Sequence, residues 1–249
     1  MASYNYIDGK KRVKEILDNT LEVIEKDKIP KDDNFTYSNS YYGWVTGIFI
    51  DIRDSSKLFS EEDKELVSKM IRSFTSEIIE ILRDDDNLRE IGIRGDCVYG
   101  IFTTATTNDV HEVVVKSFYI NTFLGMLNKL LDERGMPRIK VGIGISTEKE
   151  LVIKAGRNGV GINNSVWIGD AVTKASNLSS LGEKDGYKTI VMSSLTYSSM
   201  IEIVENNNKG KDVKSWFREH HTTEFETFYD ANVIQVEFYN WINNGMSED

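Results

Sequence analysis

Two aspartates, Asp51 and Asp96, stand where apolar runs break off, and they are the first candidates for chemistry. Phe49-Ile50-Asp51-Ile52-Arg53-Asp54-Ser55-Ser56 is an apolar run that gives way at Asp51. Ile91-Gly92-Ile93-Arg94-Gly95-Asp96-Cys97-Val98-Tyr99 is two apolar runs hinged on Arg94-Gly95-Asp96. If the first run is a buried strand, Asp51 sits at or near its end. If the second is a hairpin, Asp96 sits at its tip. Neighbouring strands would then hold two carboxylates side by side. Such a pair either raises the pKa of one member or binds a hard cation, Mg²⁺ or Mn²⁺. The polar turn Arg53-Asp54-Ser55-Ser56-Lys57 follows, ahead of a helical segment. Its backbone N–H groups can cradle phosphate oxygens, with Lys57 or Arg53 adding charge. Carboxylates beside an anion cradle describe a site for a metal-bound nucleoside triphosphate. Either aspartate alone would read as a turn former.

The elements between the two acids must bring them together. Trp44 to Ile52 is rich in β-branched and aromatic residues and predicts a buried strand. Ser60 is a suitable N-cap for a helix whose apolar face runs from Leu66 to Leu82. Residues 88–103 predict the hairpin. The gap from Asp51 to Asp96 thus holds a turn, a long helix and a returning strand, so the two strands can be neighbours.

The remaining segments complete the pattern. Residues 9–27 read as one helix, with Val13, Ile16, Leu17, Leu21 and Ile24 at helical spacing; this stripe packs on the domain or on a second subunit. Residues 28–43 read as a connector and 109–134 as a helix closed by Gly135-Met136-Pro137. Ile139–Ser146 and Glu150–Ala155 read as a hairpin, and 156–164 as a Gly/Asn loop. A helix over 169–182, a strand over 188–193 and a short helix over 194–204 follow. Residues 205–223 read as polar and irregular, and 224–243 as one or two edge strands. The order predicts an α/β (α+β) fold of the palm or ferredoxin-like kind: a mainly antiparallel sheet with helices packed on one face. The expected units are an N-terminal helix and connector (1–43), a catalytic domain (44–204) and a C-terminal extension (205–249).

Bulk properties narrow the function. Thirty basic and forty acidic side chains give a formal charge of −10, which disfavours a nucleic-acid or anionic-membrane surface. The single cysteine, Cys97, excludes an internal disulfide and a cysteine-based zinc site. The N-terminus lacks a secretory pattern, and no run reaches the roughly 18 apolar residues of a membrane span, so a cytoplasmic protein is expected.

The chain resembles the catalytic domain of the class III nucleotidyl cyclases, the adenylate and guanylate cyclase family. Phe49-Ile50-Asp51-Ile52-Arg53-Asp54-Ser55 is similar to the family's first metal motif, and Arg94-Gly95-Asp96-Cys97-Val98-Tyr99 to its second. Lys140-Val141-Gly142-Ile143-Gly144-Ile145-Ser146 is similar to its strand of alternating glycines. Residues 168–178, from Ile168-Gly169-Asp170 to Asn177-Leu178, resemble the segment that closes the site from the opposite subunit. The resemblance covers residues 44 to about 195. It implies two Mg²⁺ or Mn²⁺ ions per site on Asp51, Asp96 and the Ile52 carbonyl. It also implies attack of the ribose 3′-hydroxyl on the α-phosphorus, loss of pyrophosphate, and a homodimer with two shared sites.

The departures from the family pattern bear on specificity. Where the family has an Asn for the ribose and an Arg for the α-phosphate, this chain has Thr173 and Asn177. Thr173 can still hydrogen-bond a ribose oxygen; Asn177 brings no charge, which leaves Arg53, Lys57, Lys174 or a tail lysine for that role. At the family's purine-reading positions stand Gly92 and, about, Val166, neither with a polar side chain. Arg94 and Trp167 are close in sequence and can narrow the pocket. This pattern resembles the Pycsar-type pyrimidine cyclases of bacterial antiphage defence, whose cyclic CMP or cyclic UMP activates a separate effector. CTP and UTP stay open at this level. The rivals are a purine cyclase that uses Glu90 and a non-catalytic nucleotide-binding dimerisation module. His220, His221, Glu224 and Glu226 match no zinc spacing, and Cys97 reads as a small packing group.

Overall fold

The computed structural model describes residues 4–31, 34–157, 162–223 and 225–247. One sheet organises them, with strand order β3-β4-β2-β5-β7-β9-β8; β1 adds to β2 and β6 to β5. The strands are β1 (Glu22–Glu25), β2 (Asn39–Ile52), β3 (Leu88–Arg94), β4 (Cys97–Thr103), β5 (Val141–Arg157), β6 (Ile162–Ile168), β7 (Ile190–Ser193), β8 (Phe217–Thr222) and β9 (Glu226–Ala231). The helices are α1 (Tyr6–Asp18), α2 (Ser55–Glu61), α3 (Lys64–Arg83), α4 (Thr107–Asp132), α5 (Asp170–Ser179), α6 (Ser194–Asn207) and α7 (Val236–Asn243). All pairings are antiparallel except β1–β2 and β5–β7, as the expected fold class requires.

Alternation along β2 and β5 divides the side chains between two faces. Ile48, Ile50 and Ile52 of β2, with Ile143 and Ile145 of β5, enter the main core beneath α3, α4 and α6. Gly47, Gly142 and Gly144 point the other way, and α5 lies on them. The helices therefore cover both faces, not one. α5 is the exception because only a strip without β-carbons admits its backbone. A Cβ on Gly144 would stand 2.0 Å from the Ala175 carbonyl oxygen, and one on Gly142 would stand 2.0 Å from that of Ser179.

Three elements ahead of the tail differ from their sequence reading. The first helix ends at Asp18, and Leu21 and Ile24 leave its stripe; Ile24 lies in β1, which pairs with Asn39–Tyr42 of β2. The long helix is capped by Asp63, whose carboxylate accepts from the Glu65 and Leu66 N–H groups, while Ser60 lies inside the short α2. The expected hairpin at 139–155 is a single strand of 17 residues, β5, and its turn-like Thr147-Glu148-Lys149 stays extended. Thr147 is buried and its hydroxyl joins those of Thr46 (2.9 Å) and Thr196 (3.0 Å), which holds the strand straight through the core. Lys149 pairs with Glu25 of β1.

The tail is more ordered than its composition predicts. β8 begins within the stretch read as irregular, and β9 is interior to the sheet, between β7 and β8. Residues 236–243 form a helix, not a strand; Ile242 is buried, and its carbonyl accepts from Lys129 of α4 at 2.8 Å. Asp230 of β9 is fully buried. It accepts from Arg218 at 2.8 and 2.6 Å and from the Lys188 N–H at 2.9 Å, and His220 Nε2 lies 3.2 Å away. Burial pushes its pKa up, but Arg218, the Lys188 N–H and His220 together hold it below the ordinary carboxylate value. A depressed folded pKa adds stability above the unfolded value of about 3.9, and this is lost as pH falls through the folded value. Asp230→Asn is expected to lower stability by about 2 kcal/mol at neutral pH and to flatten the acid limb of a urea-midpoint titration. His221 meets Thr227 and Glu219, so both histidines are engaged in local pairs.

Candidate active site

Asp51 is the penultimate residue of β2, opposite Cys97 of β4 on one side and Gly142 of β5 on the other. Asp96 lies in the β3–β4 turn, where Gly95 takes a φ of +64° and so lets two residues reverse the chain. The two acids are therefore brought together as the spacing requires. Burial raises the Asp51 pKa, and the negative charge of Asp96 raises it further, against the lowering effects of Arg53 and Lys184. Two carboxylates that repel one another at a strand end suit a divalent cation. The Ile52 side chain is buried in the core and has no ligating atom, so any ligand from this residue would be its backbone carbonyl. Among the described residues no group of three or more His, Cys, Asp or Glu side chains is placed to hold a metal ion. A pair of carboxylates matches ions that complete their coordination with substrate phosphates.

Arg53 turns inward. Its side chain is 4% exposed and meets the Asp51 carboxylate at 2.5 Å. It also donates to the Asp51 carbonyl at 3.0 Å and to the Ser180 carbonyl, just past α5, at 2.9 Å. Its guanidinium thus clamps Asp51 to the end of α5. Asp54 follows with a left-handed φ of +54°, and α2 starts at Ser55. The first N–H groups of a helix lack intrahelical acceptors, and the Asp54 side chain does not cap them. Ser56 and Lys57 are exposed beside them.

Thr173 and Asn177 are one turn apart on α5, and both are exposed, away from the glycine strip. Lys174 lies near Glu148, whose pKa is raised by burial and lowered in part by that lysine. Lys184 is a cation that sequence reasoning missed: it sits in the loop after α5, and its charge acts on Asp51. No sequence motif marks it; only the folding of this loop against the end of β2 does.

Gly92 faces Tyr99, and the Tyr99 ring fills the space of the missing side chain; a Cβ there would stand 2.6 Å from it. The ring stacks on Phe49 at 5.1 Å between centroids. Tyr99 and Trp167 both donate to Glu90, Oη to Oε1 at 2.6 Å and Nε1 to Oε2 at 2.7 Å. Burial, then the Glu90 contact, pushes the Tyr99 phenol up to about 12. Trp167 and Tyr99 are thereby tied to one carboxylate. Val166 and Arg94 are exposed at the margin. The Glu90–Tyr99–Trp167 trio was not legible as a unit, since its members lie on three strands. Cys97 is a packing group, its thiol pushed up to about 12 by burial and then by the charge of Asp51.

Comparison with known proteins agrees with this geometry. The family model for the adenylate and guanylate cyclase catalytic domain matches residues 37–225. A uridylate cyclase of Treponema porcinum is 50% identical over the whole chain, which spans 84% of that protein. A uridylate cyclase of Gulbenkiania mobilis is 29% identical over 96% of both chains. Among solved structures, an adenylyl cyclase from P. aeruginosa superposes with a TM-score of 0.61 at 20% identity, over 77% of this chain and 95% of its own. No helix among the described residues is long and apolar enough to cross a membrane. With the paired carboxylates, the glycine strip and the helix it seats all in one sheet, the chain belongs to the adenylate and guanylate cyclase catalytic-domain family.

Proposed function

We propose that this protein is a pyrimidine nucleotidyl cyclase that converts UTP to 3′,5′-cyclic UMP and pyrophosphate. The observation that carries the reading is the full-length 50% identity to a uridylate cyclase. Each site would join Asp51 and Asp96 of one subunit to α5 of the other, in a symmetric homodimer. Exposure of both Thr173 and Asn177 in the single chain supports this, because neither has a role within its own subunit's core.

Asp51, Asp96 and the Ile52 carbonyl would hold two Mg²⁺ or Mn²⁺ ions, which lower the pKa of the ribose 3′-hydroxyl and neutralise the phosphates when bound. Arg53 keeps Asp51 oriented and its charge balanced. The N–H groups that open α2, with Ser55, Ser56 and Lys57, take the phosphate tail. Thr173 positions the ribose, and Asn177 donates to the α-phosphate. Lys184 supplies a positive charge beside Asp51 that Asn177 cannot.

Gly92, Arg94, Val166 and Trp167 bound the base pocket, and the Tyr99 ring beneath Gly92 removes the depth a purine needs. Uracil presents an N–H donor at N3, where cytosine presents an acceptor. Each Glu90 oxygen keeps a lone pair beyond its present bond, so an acceptor facing N3 favours uracil. The product would be a diffusible cytoplasmic messenger for a separate effector in antiphage defence. Incubation with each of the four nucleoside triphosphates and Mn²⁺, read by mass spectrometry, tests the function. Cyclic UMP is expected. Cyclic AMP as the main product would sink the pyrimidine reading, and no product from any triphosphate would leave a nucleotide-binding dimerisation module. Glu90→Gln is expected to reduce the UTP-over-CTP preference about tenfold.

A further inference from the structure

We propose that Glu150 is a positioning residue, a cap supplied from β5 that fixes the first turn of α5 and with it Thr173. The proposal rests on the shared-site reading above. α5 opens at Gly169, which has no side chain to accept its first N–H groups. Glu150 supplies what the local sequence lacks. Its Oε1 accepts from the Val172 N–H at 2.9 Å across 22 residues of chain. Burial raises the Glu150 pKa, and the Val172 and Ala171 N–H groups offset part of that by favouring the charged carboxylate.

The placement is built into the sheet. Glu150 is fully buried and shares a face of β5 with Gly142 and Gly144. The two glycines lie beneath Ser179 and Ala175, and Glu150 beneath the opening residues, so one strand seats the helix along its whole length. A Cβ on Gly169 would stand 3.2 Å from the Glu150 carboxyl, so even this residue is fitted to the acid. The second oxygen, Oε2, is buried with no hydrogen-bond partner. A buried acid with one oxygen unpaired is unfavourable for stability alone. The helix N-terminus compensates part of that through its dipole. Thr173 follows Val172 directly, so a frayed first turn displaces the hydroxyl while the metal half stays formed.

The test exploits the division of the site between subunits. Glu150→Ala is expected to lower kcat at least about tenfold, since small displacements of positioning groups have large kinetic effects. It is then co-expressed with Asp51→Asn, which is inactive through the other half. The mixed dimer holds one site with an intact Asp51 and an intact α5, so activity returns to roughly a quarter of the wild-type rate on random pairing. A control pairs Asp51→Asn with Thr173→Ala/Asn177→Ala. If the control recovers and the Glu150→Ala pair does not, the proposal is overturned. If neither pair recovers while the wild type is active, the shared-site reading itself falls. Glu150→Gln keeps the acceptor at the same reach and is expected within about threefold of wild type, whereas Glu150→Asp is too short and is expected to behave as the alanine variant. The reverse order, Asp active and Gln inactive, overturns the cap. Amide exchange at Ala171 and Val172 reads the same contact without turnover. It is expected to be about tenfold faster in Glu150→Ala and unchanged in Glu150→Gln, and equal rates in all three proteins overturn the proposal.

Discussion

Asp51→Asn is expected to abolish cyclic nucleotide formation, by about 10³-fold or more, while the protein stays folded. The choice of asparagine follows from Arg53. The guanidinium is buried against the Asp51 carboxylate, so Asp51→Ala would leave a cation in the interior without its partner. Asparagine keeps an oxygen at hydrogen-bond reach of Arg53 and removes only the charge that would hold a divalent ion. The thermal midpoint should therefore fall less in Asp51→Asn than in Asp51→Ala, with activity lost in both. Asp96→Ala, in a half-exposed turn, should lose activity with a smaller stability change than either. The product assay and a thermal melt separate these outcomes. Turnover that survives Asp51→Asn would remove the metal mechanism.

Gly144→Ala is expected to be among the most damaging single-methyl changes in the described residues. Its Cβ would stand 2.0 Å from the Ala175 oxygen and 2.2 Å from the Ser179 nitrogen, both backbone atoms of α5 that have no rotamer to move away. Either the helix lifts or the strand bends. Overpacking of this kind costs about 3 kcal/mol, and here it also displaces Thr173 and Asn177, which ride on the same helix. Urea denaturation and turnover should both report the loss. Gly125→Ala on α4 is the control: the nearest atom to a Cβ there is 4.0 Å away, and the helix gains up to about 1 kcal/mol from the better helix former. If the two variants were equally stable, α5 would not be seated on a strip without side chains.

The readable parts of this fold were those written in local pattern. Asp51 and Asp96 were found because a strand end and a hairpin tip are encoded within a few residues, by an apolar run and by Gly95. The α5 segment was found as a motif, and the pair Thr173 and Asn177 came with it, as the positions matching the family's ribose and phosphate residues. What failed was decided by distant partners. Leu21 and Ile24 continue a helical stripe, yet the free edge of β2 draws Ile24 into β1. Thr147-Glu148-Lys149 looks like a turn, yet Thr46, Thr196 and Glu25 give its side chains partners that keep it extended. The aromatic run at 236–243 has strand composition, but Ile242 and Phe238 recur one turn apart and pack as a helix against the core. In the site, Arg53 was expected near phosphate; its bond to Ser180, 127 residues away, places it under Asp51 instead. Glu90 reads as an ordinary strand acid until Tyr99 and Trp167 arrive from other strands.

The single strand β5 also sets a rule of parity on the gene. Its even-numbered positions from 142 to 152 face α5 and its odd positions from 141 to 145 face the main core. Losing or gaining one codon within it would exchange the two sets downstream of the change. A glycine seat would become a row of isoleucines beneath the helix, and Glu150 would be delivered among the apolar side chains on the far side of the sheet. Two codons removed together restore the alternation and only shift the strand along itself. In a library of short insertions and deletions, β5 should therefore reject single changes far more strongly than paired ones, while the exposed turn from Lys209 to Asp212 accepts both.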